Sequence, residues 1–338
     1  MYGRIRVMEE FLFLEEKYNI GKIYKIGKVK GGFLTENRYI ATSSGKYFLK
    51  KYRSEKVEFI NEIEFAESFF SIKFPLILPI ETKAGLKHVI YNDELYVLYP
   101  FIEIKEVKDK LGNKASHNLG KFLAEMHKYA IENINVYKDK GIKLENKIIL
   151  KEKSLEGLQR IKNTLQSKKK KNKTDLVFLE GLDLKINYVQ KDVFDLSTYE
   201  PKDNYLIHGD FHFRNIFWKR DEIAYLFDSE KARISSISFD IVRCLMYSCF
   251  EGQFSVNRFK LVESFLEGYQ TIRRLDKKEI EFQMKIFVKK DFYSNWMEKF
   301  KYEKGNTRLD GLYANALKGW RYLEKNENSF VQKFSKVL

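Results

Sequence analysis

Asp210, Asn215 and Asp228 are three oxygen donors set among short apolar stretches that read as strands. Tyr205 to Ile207, Ile216 to Trp218 and Ile223 to Phe227 are β-prone, and Lys219-Arg-Asp-Glu222 is a polar hinge short enough for a hairpin. With Asp221 and Glu222 as the loop, Arg220 pairs with Ile223 and Asn215 comes opposite Asp228. Facing positions on paired strands lie roughly 5 Å apart, close enough to share one divalent cation. Magnesium takes hard oxygen ligands, and an amide oxygen with a carboxylate fits it. The turn lacks Asn-Gly or Asp-Gly, which leaves the register open to a slip of one residue.

Four residues separate Asp210 from Asn215, the spacing found in the catalytic loop of protein kinases. In that arrangement the Asp accepts the proton of the attacking hydroxyl and the Asn holds Mg²⁺. A second Asp, on the next hairpin strand, holds Mg²⁺ bridging the β- and γ-phosphates. A lone His-Gly-Asp is most often a polar turn; two metal-type ligands on one hairpin point to phosphoryl transfer. The fuller pattern is His208-Gly-Asp-Phe-His-x-x-Asn215, then Phe227-Asp-Ser-Glu230 and Phe239-Asp240. It resembles the aminoglycoside phosphotransferase and choline kinase superfamily, whose fold is that of the protein kinases. Every fixed position of that family's loop, His-Gly-Asp-x-His-x-x-Asn, is present.

The resemblance implies an α+β, bilobal protein-kinase-like fold. A small antiparallel-sheet N-lobe with one helix would cover residues 1–102, and a larger, mainly helical C-lobe residues 103–338. It also implies roles. Asp210 is the base, and Asn215 and Asp228 are the metal ligands. Lys50, at the end of Tyr47-Phe-Leu-Lys50, contacts phosphate, and the backbone of Tyr99-Pro-Phe-Ile102 hydrogen-bonds the adenine, bringing in Tyr99, Phe101 and Ile102. His208 and His212 form the framework of the loop, Asp240 braces it through backbone amides, and Glu230 is a brace or a substrate contact. The chain departs from the family in one place: Ile234-Ser-Ser-Ile-Ser238 stands where a Gly-Asp-Pro is usual.

The elements that must position these residues can be read in order. An amphipathic helix runs over 7–18, with Val7, Phe11, Leu14 and Tyr18 on one face. A strand over 20–30 leads into Gly31-Gly32, a loop placed to lay amides over nucleotide phosphates, although most Gly-Gly pairs are ordinary turns. Strands follow over 38–42 and 46–52. Lys50 and Lys51 then point to opposite faces, Lys51 toward solvent. On the acidic helix 54–70, Glu62 is the best partner for Lys50, because Phe65, Ala66 and Phe69 follow it at helical spacing; Glu64 is the alternative. A hairpin about Asn92-Asp93 ends at Pro100, which suits a linker. Helices are expected over 115–130, 145–167, 175–195, 239–250, 259–269 and much of 277–324. His127 on the first of these is read as a core histidine, and the run Lys168-Lys-Lys-Lys171 as a solvated loop.

Composition narrows the class. Hydrophobic content of 44% and aromatic content of 15% over 338 residues describe a globular chain with length for two lobes. No apolar run approaches a membrane span, and glutamates interrupt the N-terminal apolar stretch, so a cytoplasmic protein is expected. Cys244 and Cys249 lie in an apolar stretch and suggest buried thiols. The net charge of +15 fits either an acidic partner or lysines spread over solvated faces; lysine's excess over arginine favours the latter, and no specific nucleic-acid binding is expected.

The function expected is transfer of the γ-phosphate of ATP (GTP as the alternative nucleotide), with Mg²⁺, to a hydroxyl of a small molecule such as a sugar or amino alcohol. Arg214, Lys231 and Arg233 beside the loop, and lysines over 284–304, mildly disfavour an aminoglycoside. Two other classes stand beside it: a kinase of a protein or cell-envelope component, and a kinase-like interaction protein without catalysis.

Overall fold

The computed structural model describes residues 2–29, 35–52, 56–70, 74–103, 108–140, 142, 150–194 and 203–338. Gly31 and Gly32 lie outside the described residues. The chain divides into two compact units, the first formed by 1–107, 133–143 and 215–233, the second by 108–132, 144–214 and 234–338.

The first unit is built on a five-stranded antiparallel sheet in the order β1-β2-β3-β5-β4. Its strands are β1 (Ile23–Lys28), β2 (Thr35–Thr42), β3 (Gly45–Tyr52), β4 (Val89–Tyr91) and β5 (Glu94–Pro100). Helices α1 (Tyr2–Lys17) and α2 (Lys56–Phe70) supply side chains to opposite faces. Phe11, Leu14 and Tyr18 pack with Ile40, Leu49, Tyr96 and Leu98, whereas Ile63 packs with Tyr52, Leu95, Val97 and Tyr99. Alternate residues of β5 therefore serve two cores, which is why Leu95 to Tyr99 is apolar without a break. The β4–β5 turn places Asn92 and Asp93 at φ 49° and 60°, the left-handed pair that a two-residue hairpin requires.

The same unit holds the hairpin of β6 (Ile216–Lys219) and β7 (Glu222–Leu226), tied to the rest where the Leu226 amide donates to the Pro75 carbonyl at 2.8 Å. Its register differs from that expected. Lys219 pairs with Glu222, so Arg220 and Asp221 form the turn, with Arg220 at φ 58°. A bulge between Phe217 and Trp218 then shifts the pairing by one, and Ile216 faces Leu226. The Phe227 amide donates to the Asn215 carbonyl at 3.1 Å, which sets Asn215 across from Phe227 and not Asp228. Arg220 accepts the left-handed conformation that a Gly or Asn would ordinarily supply, and the sequence carries no sign of this.

The second unit is helical. It contains α3 (Asn113–Glu132), α4 (Lys151–Gln166), α5 (Lys173–Lys191), the short strand β8 (Tyr205–Ile207), α6 (Ile237–Cys244), α7 (Val256–Gln270), α8 (Lys277–Tyr293), α9 (Trp296–Tyr302) and α10 (Asp310–Val337). Leu245–Phe250 continues α6 as a π-helical turn. The backbones of α3 and α7 touch: a Cβ on Gly120 would lie 2.0 Å from the Phe265 carbonyl oxygen, and one on Gly268 would lie 1.9 Å from that of His117. Only glycine permits that approach. Cys244 and Cys249 are free and buried in this unit. No helix among the described residues is long and apolar enough to cross a membrane.

Candidate active site

Lys50 is the hub of the first unit. It enters from β3 with its side chain 7% exposed, and its ammonium lies 3.0 and 3.3 Å from the two oxygens of Glu62 on α2. It also meets Asp228 Oδ1 at 3.4 Å and, more closely, Glu230. Burial alone would lower the Lys50 ammonium; Glu62, Asp228 and Glu230 more than reverse this and raise it well above its ordinary value. Tyr52, two residues along the same strand face, donates to Glu62. Glu64 turns instead to Lys140 at 3.2 Å. Lys51 is not directed to solvent as expected: it pairs with Glu94 and lies over the Tyr96 ring, on the opposite sheet face.

Asp228 lies beyond the end of β7 at φ 62°, a conformation an Asp tolerates and a branched residue does not. That twist carries its carboxylate to the Lys50 cluster although the strand register does not bring it opposite Asn215. Glu230, mostly buried, is pushed up to about 7, by desolvation first and then by the neighbouring charges of Asp228 and Glu62. The group around Lys50 thus sets three carboxylates against one ammonium, a surplus of negative charge that favours a cation. Among the described residues no set of three or more His, Cys, Asp or Glu is arranged to hold a metal by itself. An amide from Asn215 and a carboxylate from Asp228 match the sparse protein ligation that magnesium accepts when phosphates complete its shell.

At the far end of β5, Tyr99 is buried opposite Phe48, and Phe101 and Ile102 are half-buried. The Phe101 amide donates to the Lys46 carbonyl at 3.1 Å, so it is already engaged within the sheet.

The loop 208–214 belongs to the second unit. Ser236 accepts from the Ser238 amide to start α6, and this puts Asp240 in the helix's first turn. Its carboxylate accepts from the amides of His208 and Gly209, both at 2.8 Å. Gly209 sits at φ 75°, which suits glycine. The Asp210 amide donates to His208 Nδ1 at 3.2 Å, and the Phe213 amide to Ser248 Oγ on the π turn at 3.1 Å. His127 is buried between the Tyr269 hydroxyl, 2.9 Å from its Nδ1, and Asp240.

Arg243, one turn after Asp240, was not foreseen from the sequence. Its Nε and Nη2 both donate to Asp210 Oδ1, at 2.9 and 2.7 Å, and its guanidinium lies 4.6 Å from the centre of the Tyr247 ring. Burial works against ionisation of Asp210, yet Arg243 overrides it and holds the carboxyl below the ordinary carboxylate range. The signal was the i, i+3 spacing of Asp240 and Arg243, which puts an acid and a base on one face of a helix that starts beside the loop.

His212 has its Nε2 3.5 Å from Asp210 Oδ1 and its Nδ1 accepting from the Arg214 amide. Burial lowers it to about 4, against the pull of Asp210, so the imidazole is neutral at pH 7. A histidine lowered on folding stabilises above its unfolded value near 6.5, and that contribution is lost as pH falls toward 4. We expect His212→Asn to remove acid sensitivity on the order of 3 kcal/mol between pH 7 and 4, measured by denaturant unfolding of both proteins across that range.

A sequence profile describing the phosphotransferase enzyme family matches residues 25–276, three quarters of the chain and all of the groups above. The chain belongs to the phosphotransferase enzyme family. It is 25% identical over 271 residues to a homoserine kinase of Agrobacterium fabrum, spanning 78% of this chain and 76% of that protein. A homoserine kinase of Methylobacterium nodulans is 24% identical over 269 residues, with the same coverage. In fold the chain is similar to a spectinomycin phosphotransferase solved with ADP and spectinomycin, at a TM-score of 0.64 and 18% identity over 98% of both chains. It is also similar to a microcompartment-associated aminopropanol kinase, at 0.65 and 14% identity over 96% of this chain and 98% of that one. The α+β kinase-like architecture expected from the loop pattern is therefore the one observed, and the phosphotransferase is an enzyme of the small-molecule kinase kind.

Proposed function

We propose that this phosphotransferase moves the γ-phosphate of ATP to a hydroxyl of a small molecule, with Asp210 as the base. The observation that carries the nucleotide half is the meeting of Lys50, Glu62 and Asp228 from a strand, a helix and a hairpin end. Lys50 binds phosphate oxygens, and Glu62 holds the lysine in one rotamer. Gly31 and Gly32 cover the phosphates, and Tyr99 with Phe101 and Ile102 edges the base of the nucleotide, the Phe101 carbonyl and the Ile102 amide being the groups suited to it. Asn215 and Asp228 would hold Mg²⁺, which supplies charge neutralisation at the phosphates when bound. Asp210 orients the acceptor hydroxyl and takes its proton, while Arg243, His208, His212 and Asp240 fix the carboxylate's position.

The homoserine kinase relatives and the aminopropanol kinase fold support a hydroxyl acceptor of modest size. Four of the basic residues that had counted against a cationic acceptor are engaged in ion pairs. Arg214 pairs with Glu251, Lys285 with Glu281, Lys289 with Asp192 and Lys301 with Asp310.

Hydrolysis of Mg·ATP by the purified protein, alone and with a panel of hydroxyl compounds, tests the proposal; absence of nucleotide turnover under all conditions overturns it. Asp228→Asn keeps the left-handed backbone accessible and removes only the charge. It is expected to lower kcat by about 100-fold and to raise the Mg²⁺ concentration needed for half-maximal rate, as read from a metal titration.

A further inference from the structure

One side chain of the first unit meets both members of the Lys50–Glu62 pair. Tyr52 lies two residues after Lys50 on β3, so the two side chains leave the same face of the strand. The Tyr52 hydroxyl donates to Glu62 Oε2, the oxygen that also lies 3.0 Å from the Lys50 ammonium. That ammonium in turn lies 5.1 Å from the centre of the Tyr52 ring. Tyr52 is buried, and it packs with Ile63 of α2 and with Leu95, Val97 and Tyr99 of β5. Strand, ring and helix are joined at one carboxylate.

Lys50 does not serve Glu62 alone. Its ammonium has three N–H groups, and Glu62, Asp228 and Glu230 all draw on them. A phosphate oxygen arriving at Lys50 takes a share and leaves the acids with less. Glu62 is 6% exposed, so water does little to replace what it loses, and a buried carboxylate short of donors is costly. The Tyr52 hydroxyl is a donor that is not shared with the phosphate. Burial first, and then the charge of Glu62, push this phenol well above its ordinary value, so it stays protonated through the neutral range and donates throughout.

The opposite face of the sheet offers an internal comparison. There Lys51 pairs with Glu94 and lies 5.3 Å from the centre of the Tyr96 ring, and the Tyr96 hydroxyl donates to Glu94 at 3.3 Å. The same three residue types meet, but the Glu94 side chain is 31% exposed and water can satisfy it.

We propose that Tyr52 is a positioning residue for phosphate binding: it keeps the Glu62 carboxylate in place while Lys50 turns part of its ammonium to the nucleotide. This rests on Lys50 being the phosphate-binding group. Tyr52 acts through Glu62 and Lys50, so its effect falls on the nucleotide and not on the acceptor.

The test measures Kd for Mg·ATP by titration in the wild type, Tyr52→Phe, Tyr96→Phe, Glu62→Gln and the variant carrying both Tyr52→Phe and Glu62→Gln. Tyr52→Phe keeps the ring and is expected to raise Kd about 10-fold, the scale of one hydrogen bond to a charged group. Tyr96→Phe is expected to leave Kd unchanged. In the Glu62→Gln background the Tyr52→Phe change is expected to add less than about 3-fold, because the anion it served is gone. An unchanged Kd in Tyr52→Phe, an equal loss in Tyr96→Phe, or a full further loss in the Glu62→Gln background overturns the proposal. If Tyr52→Phe alone does not fold, the variant that also carries Glu62→Gln is expected to fold, and its failure to do so overturns the proposal as well. Failure of the wild type to bind Mg·ATP would overturn the nucleotide reading itself, and this proposal with it.

Discussion

Asp210→Asn is expected to lower kcat by about 100- to 10,000-fold while leaving nucleotide affinity little changed. The side chain keeps its size, and its amide oxygen can still accept from Arg243, so the loop stays braced by Asp240 and Ser248. What disappears is the anion. Since Arg243 holds Asp210 below the ordinary carboxylate range, the proposed base is ionised at neutral pH and is a weak one. In the proposed role its contribution would be orientation of the hydroxyl and late acceptance of the proton, not strong deprotonation. Steady-state rates with saturating nucleotide, with nucleotide affinity measured separately by titration, check the result. Retained turnover in the variant would take Asp210 out of the base role.

Lys50→Met is expected to damage the protein twice over. Removal of the ammonium leaves Glu62 and Glu230 buried without their counter-charge, and the loss of one partner from such a group costs about 3–5 kcal/mol of stability. Both acids are nearly enclosed, so water does little to relieve them. Denaturant unfolding at pH 7 measures this. A double variant with Glu230→Gln removes one uncompensated acid and is expected to recover part of the stability, but none of the nucleotide affinity, because the charge proposed to bind phosphate is still missing. If the single variant unfolds at the wild-type midpoint, the ion pairs around Lys50 carry no stability.

The sequence made some of this legible and hid the rest for definite reasons. The sheet was readable because β3 and β5 carry apolar residues for two cores, and α2 because Phe65, Ala66 and Phe69 mark its inner side. The meeting of Lys50 with Glu62 follows from those two patterns, since each fixes the face on which a charged residue must lie. The hairpin register was not readable. It depends on Arg220 taking a left-handed turn position and on a bulge at Phe217, and neither residue type announces such a conformation. Asp228 reaches Lys50 through its own backbone twist, which strand alternation does not anticipate. Arg243 was missed because it comes from a helix whose charged residues are ambiguous in a lysine-rich chain. Only its bonds to Asp210 separate it from the solvated charges around it.

The π turn at 245–250 has a consequence for how this segment can change. Glu251 donates to the Met246 carbonyl across five residues, where an α-helix would close across four. On a regular helix, residues five apart stand about 140° from one another, so Arg243 and Ser248 could not both turn to the loop that each of them bonds. The widened turn narrows that angle, and it exists only because the segment carries one residue more than an α-helix needs. The number of residues in this segment is therefore as constrained as the side chain of Ser248. A one-residue deletion would let the regular ladder close and swing the loop's two anchors apart, with no charged group altered.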